Sequence, residues 1–132
     1  MIDPTNDTSL DASLPYLKSL TTPGGAVAIT GAAAETAISD PDKFRFGYLC
    51  QLEAICLAAG AAGGAWVLRQ SLAGTTLLRL QQPQTAPVVG TRYVWTFEMP
   101  WKTPAVKDVF TIEPTVDIGS WVFICNGFFS SI

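Results

Sequence analysis

The segment from Lys43 to Ala58, KFRFGYLCQLEAICLA, constrains the fold more than any other part of the chain. One parity holds Phe44, Phe46, Tyr48, Cys50, Leu52, Ala54 and Cys56; the other holds Arg45, Gly47, Leu49, Gln51, Glu53, Ile55 and Leu57. The first set is apolar throughout, and the charges and the amide fall on the second. Side chains alternate between faces along a β-strand, so this pattern predicts a long strand with the Phe44–Cys56 parity in the core. The Gly/Ala run from Ala58 to Ala65 then reads as a loose turn, and AWVLRQS opens the next strand.

Two other readings of this region compete with the strands. Tyr48–Leu68 is nearly free of charge and long enough to cross a bilayer, with a small-xxx-small pair at Gly60 and Gly64. Glu53 opposes that reading, since a carboxylate deep in the apolar zone costs roughly 2.5 kcal/mol or more. Cations also flank both ends, at Lys43, Arg45 and Arg69, so neither orientation is favoured. A buried helix would have to absorb the glycines of the run at about 1 kcal/mol each. Two strands joined by a turn is the reading that needs no such concession.

Further strands are expected at AVAIT (26–30), TLLRLQQ (76–82), TRYVWTFEM (91–99), DVFTIEP (108–114) and SWVFICNGFF (120–129). The last is apolar on both faces, so it should be central in a sheet or covered by a subunit contact. The prolines of QPQTAP exclude a central strand there. Seven or eight strands with turn signals between them, and no convincing long helix, predict an all-β, jelly-roll-like β-sandwich of antiparallel strands. The chain divides into an extended N-terminal arm, residues 1–24, and the sandwich domain, residues 25–132. The arm is acidic and rich in proline. It reads either as a disordered tail or as an arm that carries Leu10, Leu14, Tyr16, Leu17 and Leu20 onto a neighbouring subunit, with room for a short helical turn around Leu14 to Leu20.

The chemistry that the chain can host is narrow. It contains no histidine, which removes the commonest general base and most zinc ligand sets. Cys50, Cys56 and Cys125 form an odd set without a secretory signal, so reduced, buried thiols are expected. Glu53, Glu98 and Glu113 each lie on the polar parity of a strand and read as surface charges rather than a paired acid and base. Asp40 and Asp42 read as turn formers rather than calcium ligands. No phosphate-binding glycine loop is present. No catalytic residue, metal or cofactor is therefore expected. A net charge of −3 supplies no basic footprint for nucleic acid. Charged residues make up 14% of the chain, low for a surface exposed on all sides, which points to an oligomer or an assembly component. Trp66, beside the Gly/Ala turn, and Trp101, after Pro100, are candidate interface residues, or sugar-stacking ones in a carbohydrate-binding sandwich.

The order AVAITGAAAETAIS, KFRFGYLCQLEAICLAAGAAGGAWVLRQS, TRYVWTFEMPW and GSWVFICNGFF resembles the small jelly-roll capsid decoration, or cement, proteins of tailed bacteriophages. The resemblance covers residues 25 to 132 and is one of pattern, without invariant motifs. It implies a non-enzymatic virion protein on the capsid exterior, made in the host cytoplasm. It further implies a homotrimer that clamps neighbouring major capsid subunits, with no membrane or nucleic acid partner. A tail, neck or fibre component of similar fold is the alternative within the same class.

Overall fold

The computed structural model describes residues 18–20, 26–31, 33–60, 64–81, 88–117 and 119–132. Nine strands occur among them: β1 (Lys18–Ser19), β2 (Val27–Thr30), β3 (Thr36–Ala37), β4 (Phe46–Ala59), β5 (Ala65–Arg69), β6 (Thr76–Gln81), β7 (Arg92–Lys102), β8 (Thr111–Pro114) and β9 (Gly119–Ser130). They form two antiparallel sheets. Sheet A runs β1-β9-β4-β7, with β2 also on β9, and sheet B runs β3-β8-β5-β6. The fold is an all-β sandwich, and the described residues contain no helix.

The pairing is nested: β2 lies on β9, β3 on β8, β4 on β7 and β5 on β6. The chain thus doubles back on itself as one long hairpin, rolled so that β9 meets β4 and β8 meets β5. The apolar run of the last strand is explained by this order. β9 is central in sheet A, flanked by β1 and β2 on one side and by β4 on the other.

The Tyr48–Leu68 region is two strands, β4 and β5. Its alternation, however, changes phase. Pairing with both neighbours slips between Leu49 and Gln51, which makes Cys50 a bulge residue. An extra residue in a strand exchanges its two faces. Gly47 and Leu49 point inward before the bulge, and Leu52, Ala54 and Cys56 do so after it. The expected core parity therefore holds only for the second half of β4. Phe46 and Tyr48 lie half-buried on the outer face, and Phe44 precedes the strand at 78% exposure. Gly127, opposite the bulge, makes the slip possible: a Cβ there would stand 1.9 Å from the Tyr48 carbonyl oxygen.

The core fills the space between the sheets. Its lower part joins Leu20, Leu49, Phe110 and Phe129, and its upper part is an aromatic layer around Trp66. Ala54 and Cys56 face inward from the middle of sheet A between larger neighbours: Ala54 pairs with Tyr93 and Phe123, and Cys56 pairs with Trp121. Small side chains at these two positions leave room for the indole of Trp66, which comes from sheet B. Its ring meets Trp121 at 4.9 Å and 75°, Phe123 at 5.5 Å and 82°, and Trp95 at 5.9 Å and 74°. Edge-to-face contacts of this kind suit the ring quadrupoles.

The N-terminal boundary differs from the expectation. Lys18 and Ser19 form a strand, not a helical turn, and pair with Phe129 and Phe128. Leu20 follows at 6% exposure, with its amide donating to the Gly127 carbonyl at 3.0 Å. The sandwich therefore begins by Lys18. Strands β1 and β3 span two residues each, too short to leave any periodic trace in the sequence.

Candidate interaction surface

The expected contact residues scatter when placed in the fold. Leu10, Leu14, Tyr16 and Leu17 lie outside the described residues. Leu20 belongs to the chain's own core, so it is not free to reach a neighbour. Trp66 has 0% exposure and belongs to the aromatic layer, so it cannot contact a partner or a sugar. The signal misread at Trp66 was its place beside the Gly/Ala turn; β5 begins one residue earlier and directs the ring inward. Trp101 is half-buried at the end of β7 and stacks on Phe97 at 4.2 Å and 21°.

The carboxylates do not gather into an acid–base pair. Glu53 binds Arg92 at 2.7 Å on sheet A, whereas Glu113 binds Arg69 at 2.5 Å on sheet B. Glu98 is exposed in the irregular part of β7. Asp42 accepts from the Phe44 amide at 2.9 Å and faces Arg45 at 3.4 Å, so it closes a turn. Among the described residues, no group of three acidic, cysteine or histidine side chains is placed to hold a metal. None of the three cysteines is in a disulfide; Cys56 and Cys125 are buried and Cys50 is half-buried. Burial pushes the Cys50 thiol up and also that of Cys56, where the Ala58 backbone N–H opposes the shift. Both are thereby weakened as nucleophiles, since the thiolate is the reactive form.

One polar cluster escaped sequence reasoning. Glu35 accepts from Thr111 Oγ1 at 2.6 Å and from the Ala73 amide at 2.8 Å, and lies 3.8 Å from Arg69. This ties the β5–β6 turn to β8 on the outer face of sheet B. Ala73 sits in the left-handed region at φ 53, and the carboxylate satisfies its N–H there. Nothing in the spacing of Glu35, Ala73 and Thr111 along the chain announces the contact.

The outer face of sheet A has a different character. Its upper rows carry Val94, Ile55, Val122 and Ile124, interrupted only by the Glu53–Arg92 pair. A row of amides and a hydroxyl crosses the middle: Asn126 Nδ2 donates to Gln51 Oε1 at 3.3 Å, and Gln51 Nε2 donates to Thr96 Oγ1 at 3.3 Å. Below it stand Phe46, Tyr48 and Phe128, with Tyr48 stacked on Phe128 at 4.8 Å and Lys102 Nζ over Phe46 at 4.1 Å. The Tyr48 hydroxyl donates to the Ile132 carbonyl and fixes the C-terminus beside this group. These rows are half-buried or exposed. The apolar outer parity of β9 was visible in the sequence; the aromatic group was not, because the Cys50 bulge turns Phe46 and Tyr48 outward.

At the edge of sheet A, β7 bows away from β4. Gln51 pairs with Thr96 and Leu49 pairs with Trp101, so four residues of β7, from Phe97 to Pro100, stand opposite Cys50 alone. Met99, at the tip, is 79% exposed.

The fold and this surface define an antiparallel β-sandwich with one solvent-facing sheet that is largely apolar and aromatic. No family model matches the chain, and no curated protein does. Among solved structures, a chain from the structure of infectious bursal disease virus Gt strain aligns with 91% of this chain at 17% identity and a TM-score of 0.24. This chain spans 31% of that neighbour's length. At that score the two chains share no demonstrable fold, and the likeness carries no argument about function. Among the described residues, no helix is long and apolar enough to cross a membrane.

Proposed function

We propose that this chain is a non-enzymatic structural protein of a virion, a capsid decoration protein that acts as an oligomer and clamps neighbouring major capsid subunits. The nested strand order is the observation that carries the reading. Eight strands, β2 to β9, pair first with last through to β5 with β6, an order that supports reading the sandwich as a double-sheet jelly roll, a fold used by viral capsid proteins. The arrangement of sheet A supports it: a rigid layer with few charges suits a protein whose work is to cover other chains. A decoration protein of this kind gains affinity by multivalency, holding several shell sites at once.

The test is co-sedimentation of the purified chain with tailed-phage capsid shells that lack their decoration protein. The chain is expected to pellet with the shells at saturable stoichiometry and to remain in the supernatant with free polysaccharide. A chain that stays soluble beside intact shells overturns the proposal. The role of the arm is tested with a chain starting at Lys18, which keeps β1 and Leu20 in place. Loss of shell binding with unchanged circular dichroism supports the arm as a contact, and unchanged binding removes it.

A further inference from the structure

We infer that the outer face of sheet A is the surface through which two copies of this chain associate, packed face to face about a two-fold axis along the Asn126–Gln51–Thr96 row. The inference rests on the reading above only in taking the chain to work as an oligomer, and it is tested without any shell present.

Three observations commit the face to a second copy. The first is the contrast between the two layers. The outer face of sheet B carries the Glu35–Arg69–Glu113 network and the exposed Arg79. The outer face of sheet A carries one ion pair, matched internally, Lys102 lying over ring faces and Glu98 exposed at the bowed edge, and between them the apolar rows of Ile55, Val94, Val122 and Ile124 and the rings of Phe46, Tyr48 and Phe128. Covering sheet A therefore withdraws a contiguous set of apolar and aromatic side chains from water, while its central charges stay paired or over rings.

The second is self-complementarity. In the middle row, each amide N–H that is used points along the row, from Asn126 to Gln51 to Thr96. Each amide retains a second N–H, and Asn126 retains its carbonyl, so the row offers both donors and acceptors outward. A two-fold axis along it places every member opposite its own counterpart, donor to acceptor. The same axis exchanges the upper and lower halves. It lays the aliphatic rows of Ile55, Val94, Val122 and Ile124 onto the rings of Phe46, Tyr48 and Phe128, and brings Lys102 towards the Glu53 carboxylate. A threefold ring, the arrangement that the family resemblance implies, needs two different complementary patches instead of one face that matches itself.

The third is size. The face spans about ten residues of β4 at ~3.3 Å each and four strand positions at ~4.8 Å, hence roughly 30 Å by 15–20 Å. Pairing two such faces buries on the order of 1,000 Å², about the lower bound for a specific protein interface.

The experiment is sedimentation equilibrium of the purified chain alone, over a concentration series. A dimer mass is expected for the wild type. Ile124→Lys, in the centre of the upper rows, is expected to weaken association at least 100-fold, whereas Val67→Lys, on the outer face of sheet B, leaves it unchanged. Circular dichroism of each variant confirms that the sandwich is intact. Should Ile124→Lys fail to fold, Thr96→Cys supplies a second readout: on mild oxidation it is expected to form a covalent dimer across the axis, and Val67→Cys is not. A wild type that remains monomeric, or an oligomer of any size untouched by these substitutions, overturns the inference. Shell binding by a chain that is monomeric in solution overturns the two-fold contact alone and leaves the virion role standing.

Discussion

Trp66 is the residue on which the two sheets register against each other, and its truncation gives the sharpest test of the core. A tryptophan side chain buries about 150–250 Å², worth roughly 4–6 kcal/mol at about 25 cal/mol per Å². The edge contacts with Trp121, Phe123 and Trp95 add about 0.5–1.5 kcal/mol each, not all of it lost independently. One feature acts in the opposite direction. The indole Nε1 is buried and has no hydrogen-bond partner, a penalty of about 1–3 kcal/mol that disappears with the ring. The balance for Trp66→Ala is about 4 kcal/mol of destabilisation, a large part of the 5–15 kcal/mol typical of native proteins. In urea, with a slope of about 2 kcal/mol per molar, the midpoint falls by roughly 2 M. Trp66→Phe keeps one aromatic edge and discards the unpaired N–H, so it is expected to cost only about 1–2 kcal/mol. Equilibrium unfolding followed by far-ultraviolet circular dichroism measures both. A Trp66→Ala loss below about 2 kcal/mol at unchanged slope, or a phenylalanine variant as unstable as the alanine one, refutes the reasoning.

Gly127→Ala places a methyl group against the Tyr48 carbonyl, where no flexible side chain can move aside. It is expected to cost more than 3 kcal/mol, at or above the usual range for overpacking, read as a lowered melting temperature; a near-neutral result would show that the Cys50 bulge relaxes freely. Stability is also expected to fall in alkali. Burial raises the Cys56 thiol above its ordinary value of 9.0, and burial, with Cys56 nearby, raises Tyr93 above 10.0. Each folded-state group holds its proton more tightly than its unfolded counterpart. Their contribution is therefore complete below pH 9.0 and is lost as the pH climbs through the raised values. Cys56→Ala should flatten the first part of that decline in a pH series of urea midpoints, and an unchanged profile would remove the thiol as its cause.

The positions of the longer strands were legible because alternation over six or more residues leaves a clear signature, as in Tyr93, Trp95 and Phe97. The phase of β4 was only half legible. Period-two reasoning assumes one residue per step, and the extra residue at Cys50 exchanges faces without any change in composition. Alternation alone accordingly assigns Phe44, Phe46 and Tyr48 to the core, whereas they lie outside it, and carries no trace of the aromatic group of sheet A. Local composition places Leu20 in an arm because prolines and aspartates precede it, whereas the two-residue strand before it, Lys18–Ser19, is fixed by pairing with Phe128 and Phe129, far along the chain. The Glu35 cluster was illegible for a similar reason: its members come together only once both sheets are wound.

The bow in β7 has a consequence for how large an assembly of this chain can grow. An incoming backbone that aligned with the outer edge of β7 would find regular geometry from Arg92 to Thr96 and then lose it where Phe97 to Pro100 swing away and proline withholds an amide proton. Side-by-side accretion of sheets, the route by which sandwich proteins polymerise without limit, is thus cut short at one rim.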